Sequence, residues 1–306
     1  MSATKKVEEA LANIREAEKS LKTGLLKWNP DFDEAADYYN KAAMCYKTAR
    51  QHQQCVQCFI KASDNYKICK SLFSAAKALE HASVISKEMG EFDMVAQLAE
   101  RACKLYRDNG TVDTAATMLD RAAKIIEGTR PQRAVDLYKQ AVDIALCEGQ
   151  PRRAADYQTK LCRLYVRMQM YNEAASAIRT NMTFFRDGDY DAPIGRECVA
   201  LVLVQIARGD HVAGEKAFKE WGHYCAPEEV GTLTQLLEAY DEQDGDAARR
   251  CLKSPFIRSM DVEYSKLARD MQTPASKKEE DSNGAGNGGA SGAQDGAGDE
   301  DELDLC

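Results

Sequence analysis

Proline is scarce in this chain: seven in 306 residues, with none between Pro30 and Pro131. Strand-type alternation of apolar and polar residues is nearly absent too, which argues against a sheet-based core. The four histidines, His52, His81, His211 and His223, stand at no metal-ligand spacing. There is no Gly-rich phosphate loop, G-x-S-x-G elbow, HExxH pair or dinucleotide fingerprint, so the commonest catalytic frameworks drop out. No apolar run approaches a membrane-spanning length, and the most apolar stretch, 199–207, is interrupted by Gln205. An excess of positive charge is missing as well. Lys and Arg number 41 against 49 for Asp and Glu, and residues 277–306 hold two lysines and nine acids, leaving 39 against 40 in residues 1–276. A body so near neutrality disfavours nucleic acid as the main ligand. The first residues show no secretory h-region, and the eleven cysteines mostly sit singly at apolar helical positions. Both features predict a soluble, reduced, intracellular chain whose sequons at Asn109 and Asn181 stay unmodified.

What is present is one pattern repeated eight times. Ala35, Ala36, Tyr39, Ala42, Ala43 and Tyr46 occupy offsets 0, 1, 4, 7, 8 and 11 of a window. The same offsets, counted from Cys55, Ala75, Val95, Ala115, Ala134, Ala154 and Ala174, again hold mainly small or apolar residues. These offsets define one face of a 3.6-residue helix, so each unit is expected to be a helix of about 16 residues and a short turn. Gly90, Gly110, Gly128 and Gly149 fall where a left-handed cap is wanted, and Pro131 and Pro151 suit the following first turn. Asp33, Asp93, Asp113 and Asn172 suit N-caps or first-turn positions.

Successive helices joined by short links run antiparallel. The predicted fold is therefore all-α: a right-handed α-α superhelix, a solenoid of hairpins like tetratricopeptide repeats, closed by a C-terminal helical bundle. The expected organisation is a solenoid over 1–190, a bundle over 191–272 and a disordered acidic Gly-rich tail over 273–306. An amphipathic helix over 3–23, with a stripe of Val7, Ala10, Leu11, Ile14, Ala17 and Leu21, precedes the repeats. The bundle segments are 193–208, 211–222, 227–243, 244–253 and 256–271.

Cys55 and Cys58 form a lone C-x-x-C inside a helical stripe, which points to a buried Cys55 and a peripheral Cys58 rather than a metal site. No catalytic residues, cofactor or metal are expected. Three features lie outside the core stripe. Leu25, Leu26 and Trp28, flanked by Lys19, Lys22 and Lys27, either staple the first helices together or dip into a membrane interface. Lys160, Arg163 and Arg167, extended by Arg196, are either a solvated face or a positive stripe for an acidic rod-like partner. Asp301, Glu302, Asp304 and Leu305 close the chain as an acidic-hydrophobic peptide, suited to steering and anchoring on a partner. On these residues alone, a generic peptide-binding scaffold and a non-catalytic helical-repeat subunit of a transferase remain open alternatives.

The run Leu21-Lys22-Thr23-Gly24-Leu25-Leu26-Lys27-Trp28, followed by Asp31, Asp33, Ala36 and Tyr39, resembles the soluble NSF attachment protein family, and its gamma branch above all. Lys87-Glu88-Met89-Gly90, Asp108-Asn109-Gly110-Thr111, Leu236 to Asp244 and the penultimate Leu305 agree with it. The resemblance implies an adaptor for vesicle-mediated transport and membrane fusion: several copies wrap a SNARE four-helix bundle and recruit the hexameric ATPase NSF. It implies membrane contact at Leu25, Leu26 and Trp28, SNARE contact at Lys160, which makes the rest of the basic row, Arg163, Arg167 and Arg196, the expected SNARE-facing stripe, and NSF contact at Asp301, Glu302, Asp304 and Leu305. A cytoplasmic, peripherally membrane-bound location follows. One departure stands out: Glu91 and Gln97 replace basic partner-facing residues of the alpha branch, while Lys160 survives.

Overall fold

The computed structural model describes residues 3–23 and 28–275. Their regular structure is helical, in the order α1 (Ala3–Leu21), α2 (Phe32–Thr48), α3 (His52–Ile68), α4 (Leu72–Glu88), α5 (Phe92–Asp108), α6 (Val112–Ile126), α7 (Pro131–Cys147), α8 (Pro151–Arg167) and α9 (Tyr171–Asp187). Then come α10 (Ile194–Ala207), α11 (His211–Trp221), a 3-10 turn at Gly222–Tyr224, α12 (Pro227–Asp241), α13 (Gly245–Leu252), α14 (Pro255–Arg258) and α15 (Val262–Asp270). The residue ranges 25–27 and 301–305, which hold part of the expected membrane loop and the terminal peptide, lie outside the described residues.

Each helix from α1 to α9 packs on the next, and contacts also join α4 to α6 and α5 to α7. The stack therefore has two layers, one of even-numbered and one of odd-numbered helices. Paired small residues sit at the centre of each contact: Ala35, Ala36, Ala75, Ala76, Ala115, Ala116, Ala154 and Ala155 are all at most 2% exposed. A methyl group is small enough for neighbouring backbones to approach closely, while Tyr106, Tyr138, Phe59 and Leu79 fill the space beyond.

The buried face is wider than the six-position stripe. Offsets 3 and 10 are buried too, at Cys58, Ala78, Leu98, Ile85, Leu105 and Leu164, because each helix meets neighbours on more than one side. Cys58 is thus a core residue and not peripheral; burial pushes its thiol up to about 11 and that of Cys55 up to about 12. In α1 the expected stripe is only partly buried. Ala10 and Ala17 are enclosed, but Leu11 is exposed, since α1 ends the stack and packs mainly on α2.

The twenty-residue period is a property of the turns. Seventeen-residue helices such as α3, α4 and α5 are joined by three linking residues. At six of these links the carbonyl at offset 11 accepts an amide five residues on: Gln51 to Tyr46, Ser71 to Tyr66, Glu91 to Ser86, Thr111 to Tyr106, Gln150 to Ala145 and Met170 to Tyr165. This is the six-to-one bond of a Schellman cap, which requires a left-handed residue. Gly90, Gly110 and Gly149 supply it as expected, and Gly209 supplies it in the bundle. Gly128 does not. Helix α6 stops at Ile126, where the repeat shortens to 19 residues, and the turn closes through Arg130 N–H to the Ile126 carbonyl. Arg50, Lys70, Gln169 and Asp189 hold the same left-handed conformation without being glycine.

Asp33, Asp93 and Asp113 are first-turn residues rather than caps. The cap of α2 is Asp31, whose side chain accepts the Glu34 amide at 3.0 Å.

Helix α10 is buried all round, as its apolar run demands, and packs on α9, α11, α12 and α15. The segment expected as one helix over 256–271 is two, α14 and α15, parted at Ser259–Asp261. The break turns α15 back onto α8. There Arg163 of α8 pairs with Asp261 at 2.7 Å. Beside this pair Glu197 of α10 is buried, facing Arg163 and Cys162 of α8, Asn181 of α9, and Asp261 and Tyr264 ahead of and on α15. Loss of solvent pushes the Glu197 carboxyl up to about 7, against a smaller opposing pull from Arg163.

Two expectations follow. Gln169→Gly, which relieves a left-handed non-glycine residue, should stabilise the chain by about 0.5–1 kcal/mol in urea unfolding, whereas Gly149→Ala should destabilise it by about 1 kcal/mol. For Glu197, both folded and unfolded states are protonated below the ordinary value of 4.5. Its neutral form favours folding fully below that pH, and this contribution is lost as pH rises through about 7. The stability of Glu197→Gln relative to the parent should therefore rise by roughly 1 kcal/mol per pH unit across that window.

Candidate functional site

Charged side chains tie each helix to the next-but-one along both outer surfaces. In the even layer Arg121 of α6 meets Glu80 of α4 at 3.1 Å, and Arg153 of α8 meets Asp113 of α6. In the odd layer Arg101 of α5 meets Asp64 of α3 at 3.1 Å, and Arg133 of α7 meets Glu100 of α5 at 2.7 Å. Tyrosines stitch the two layers together. The Tyr66 hydroxyl donates to Asp37 at 2.5 Å, Tyr106 to Glu80 at 3.0 Å and Tyr138 to Glu127 at 2.9 Å. These carboxylates and the burial of the rings hold the three phenols well above their ordinary range.

The expected basic row falls within this ladder. Lys160 Nζ lies 2.5 Å from Asp120, and Arg167 reaches the Glu127 carboxylate at 3.4 Å and its carbonyl at 3.2 Å. Arg163 serves Asp261 at the joint with α15. Each of the three therefore already has an internal acid, and the surface they offer is only partly positive. Arg196 on α10 is exposed and without an ion pair. Gln97 is exposed on α5, in the other layer from Lys160.

The partners of Lys160 carry a sequence signal that the stripe alone does not reveal. An acid at offset 5 of one unit meets a base at offset 6 two units later: Glu80 with Arg121, and Asp120 with Lys160. Gln140 repeats the geometry toward Glu100 at 3.4 Å.

Trp28 is 86% exposed and staples nothing. A cavity of about 710 Å3 lies where α8, α10, α12 and α15 meet, lined among others by Arg167, Tyr171, His211, Tyr240, Lys266 and Asp270. His211 pairs with Asp241 at 3.5 Å, and the lining contains neither serine nor cysteine. Among the described residues no cluster of His, Cys, Asp or Glu could hold a metal, and no helix is long and apolar enough to cross a membrane.

The Lys160–Asp120 pair is half-buried with its ammonium side still open to solvent, so screening keeps its contribution modest. A Lys160→Ala/Asp120→Ala double-mutant cycle in denaturant should return a coupling of about 1 kcal/mol or less; a much larger value would make the pair structural.

Comparison with known proteins supplies a family. The family model described as soluble NSF attachment protein, SNAP, matches residues 8–254. A gamma-soluble NSF attachment protein of Dictyostelium discoideum is 25% identical over 265 residues, covering 84% of this chain and 81% of that protein. One from Arabidopsis thaliana is 24% identical over 269 residues, covering 85% and 90%. Among solved structures, a Rap protein complexed with competence and sporulation factor is 13% identical, with a TM-score of 0.41 over 87% of this chain and 73% of that one. With its family model spanning α1 to α13, the chain belongs to the soluble NSF attachment protein family.

Proposed function

We propose that the chain links a SNARE four-helix bundle to the hexameric ATPase NSF, so that the ATPase can take the bundle apart during vesicle-mediated transport and membrane fusion. The observation that carries this reading is the family match over residues 8–254, which takes in the helical array and most of the bundle. The relatives' names, gamma-soluble NSF attachment protein, point the same way.

In this reading the two-layered stack is the grip. Lys160, Arg163, Arg167 and Arg196 face the acidic bundle. Because Asp120 and Glu127 already hold Lys160 and Arg167, each contact exchanges one acid for another and is individually weak. Several copies around one bundle then bind by avidity. Leu25, Leu26 and Trp28 add local concentration at a membrane, and the exposure of Trp28 supports this. Asp301, Glu302, Asp304 and Leu305 engage and stimulate the ATPase. The chain works as a cytoplasmic protein, peripheral at the membrane, and needs no cofactor.

A reconstituted SNARE-disassembly assay with NSF tests this. Truncation after Gly298 should abolish activity almost completely, and Leu305→Ala should reduce it partially. Full activity in both would reject the tail's role.

A further inference from the structure

The antiparallel stack puts the C-termini of α1, α3 and α5 and the N-termini of α2, α4 and α6 on one edge. Contacts across it establish this. The Asp31 amide donates to the Ser20 carbonyl at 3.0 Å, Cys69 Sγ lies 3.7 Å from Asp33 Oδ1, and the Phe73 and Tyr106 rings are 5.6 Å apart. On this edge Trp28 is 86% exposed, Ile68 57% and Phe73 48%. Lys67 and Lys70 bracket Ile68; both are exposed and neither forms an ion pair. Lys70 is the left-handed residue of this turn.

The fold does not require apolar side chains here. At the position of Ile68 the other repeats carry Thr48, Glu88, Asp108, Gly128, Cys147, Arg167 and Asp187. At the position of Phe73 they carry Asp33, Gln53, Asp93, Asp113, Gln132, Arg152 and Asn172. The same turns are built with polar or small residues everywhere else; the Phe73 ring meets Tyr106 edge-on, yet about half of it and more of Ile68 stay exposed, so packing alone does not account for the departure.

We propose that the α3–α4 tip, Lys67, Ile68, Lys70 and Phe73, is a second point of contact with an anionic lipid surface, beside Trp28. This rests on the membrane part of the proposed function. Two half-exposed apolar side chains at one turn, flanked by unpaired lysines, suit an interface where the apolar groups enter the headgroup region and the ammonium groups meet lipid phosphates. A protein partner would more commonly find a groove or a flat patch, and this tip has neither. Asp33 beside Cys69 tempers the positive charge, so the attraction should be short-ranged and sensitive to salt.

The test is flotation of the full chain with phosphatidylserine-containing vesicles and with phosphatidylcholine vesicles. Ile68→Ser and the pair Lys67→Glu/Lys70→Glu should each weaken binding to the anionic vesicles by about tenfold. The lysine pair should also flatten its salt dependence. Val84→Ser, which removes an exposed apolar residue from the broad face of α4, should bind as the parent does, and thermal melts should coincide. Disassembly of SNARE complexes by NSF in solution, without vesicles, should be unchanged in the tip variants; this separates failure of the tip from failure of the adaptor reading. Parental vesicle binding by both tip variants would overturn the proposal. So would loss of SNARE handling in solution, which would make the tip a protein-docking site.

Discussion

Close backbone approach at paired alanines governs the rest of this molecule. A helix that can come near its neighbour over a smooth strip of methyl groups buries both strips with little side-chain entropy to lose. The larger rings and branched chains are displaced to the flanks of each contact, where they seal it. No single hairpin encloses its own apolar surface, so each repeat is stable only against the next, and the chain becomes a stack instead of a globule around one centre. The length of the repeat follows from the helix end. A six-to-one cap reverses the chain in three residues, and seventeen helical residues bring the next pair of small buried residues, Cys55–Val56 after Ala35–Ala36, back into register.

This economy leaves the outside of the stack to electrostatics. Acids in first turns and at mid-helix are met by bases two helices on, and tyrosines reach carboxylates across the layers. Of the basic residues that look available for a partner, Lys160, Arg163 and Arg167 are already engaged, and Arg196 is not. A surface built in this way offers a charged partner only exchanges of one ion pair for a similar one, each cheap to make and cheap to break.

Much of the fold was legible in the sequence. Ala35–Ala36, Ala75–Ala76 and Ala115–Ala116 announce the helix face, and Gly90, Gly110 and Gly149 mark its ends. The stripe was read too narrowly, because burial at offsets 3 and 10 depends on helices packing on several sides, which one helix's period does not display; Cys58 was misplaced for that reason. Gly128 misled because a glycine tolerates but does not compel a left-handed turn, and a repeat shortened by one residue closes differently. Conversely, Arg50, Lys70, Gln169 and Asp189 adopt that turn on the strength of the surrounding packing alone, and composition gives no hint of it. The site was less legible than the fold. Lys160, Arg163 and Arg167 read as a stripe because their neutralising acids stand about forty to a hundred residues away, at Asp120, Glu127 and Asp261.

The two ends of the stack are not equivalent. At the far end α15 folds back on α8 and pairs with it through Arg163 and Asp261, whereas α1 packs mainly on α2 and leaves Leu11 uncovered. The two ends thus differ in what they leave open: one is closed by the chain's own last helix, and the other, which carries Trp28, keeps apolar surface free for something outside the chain to cover.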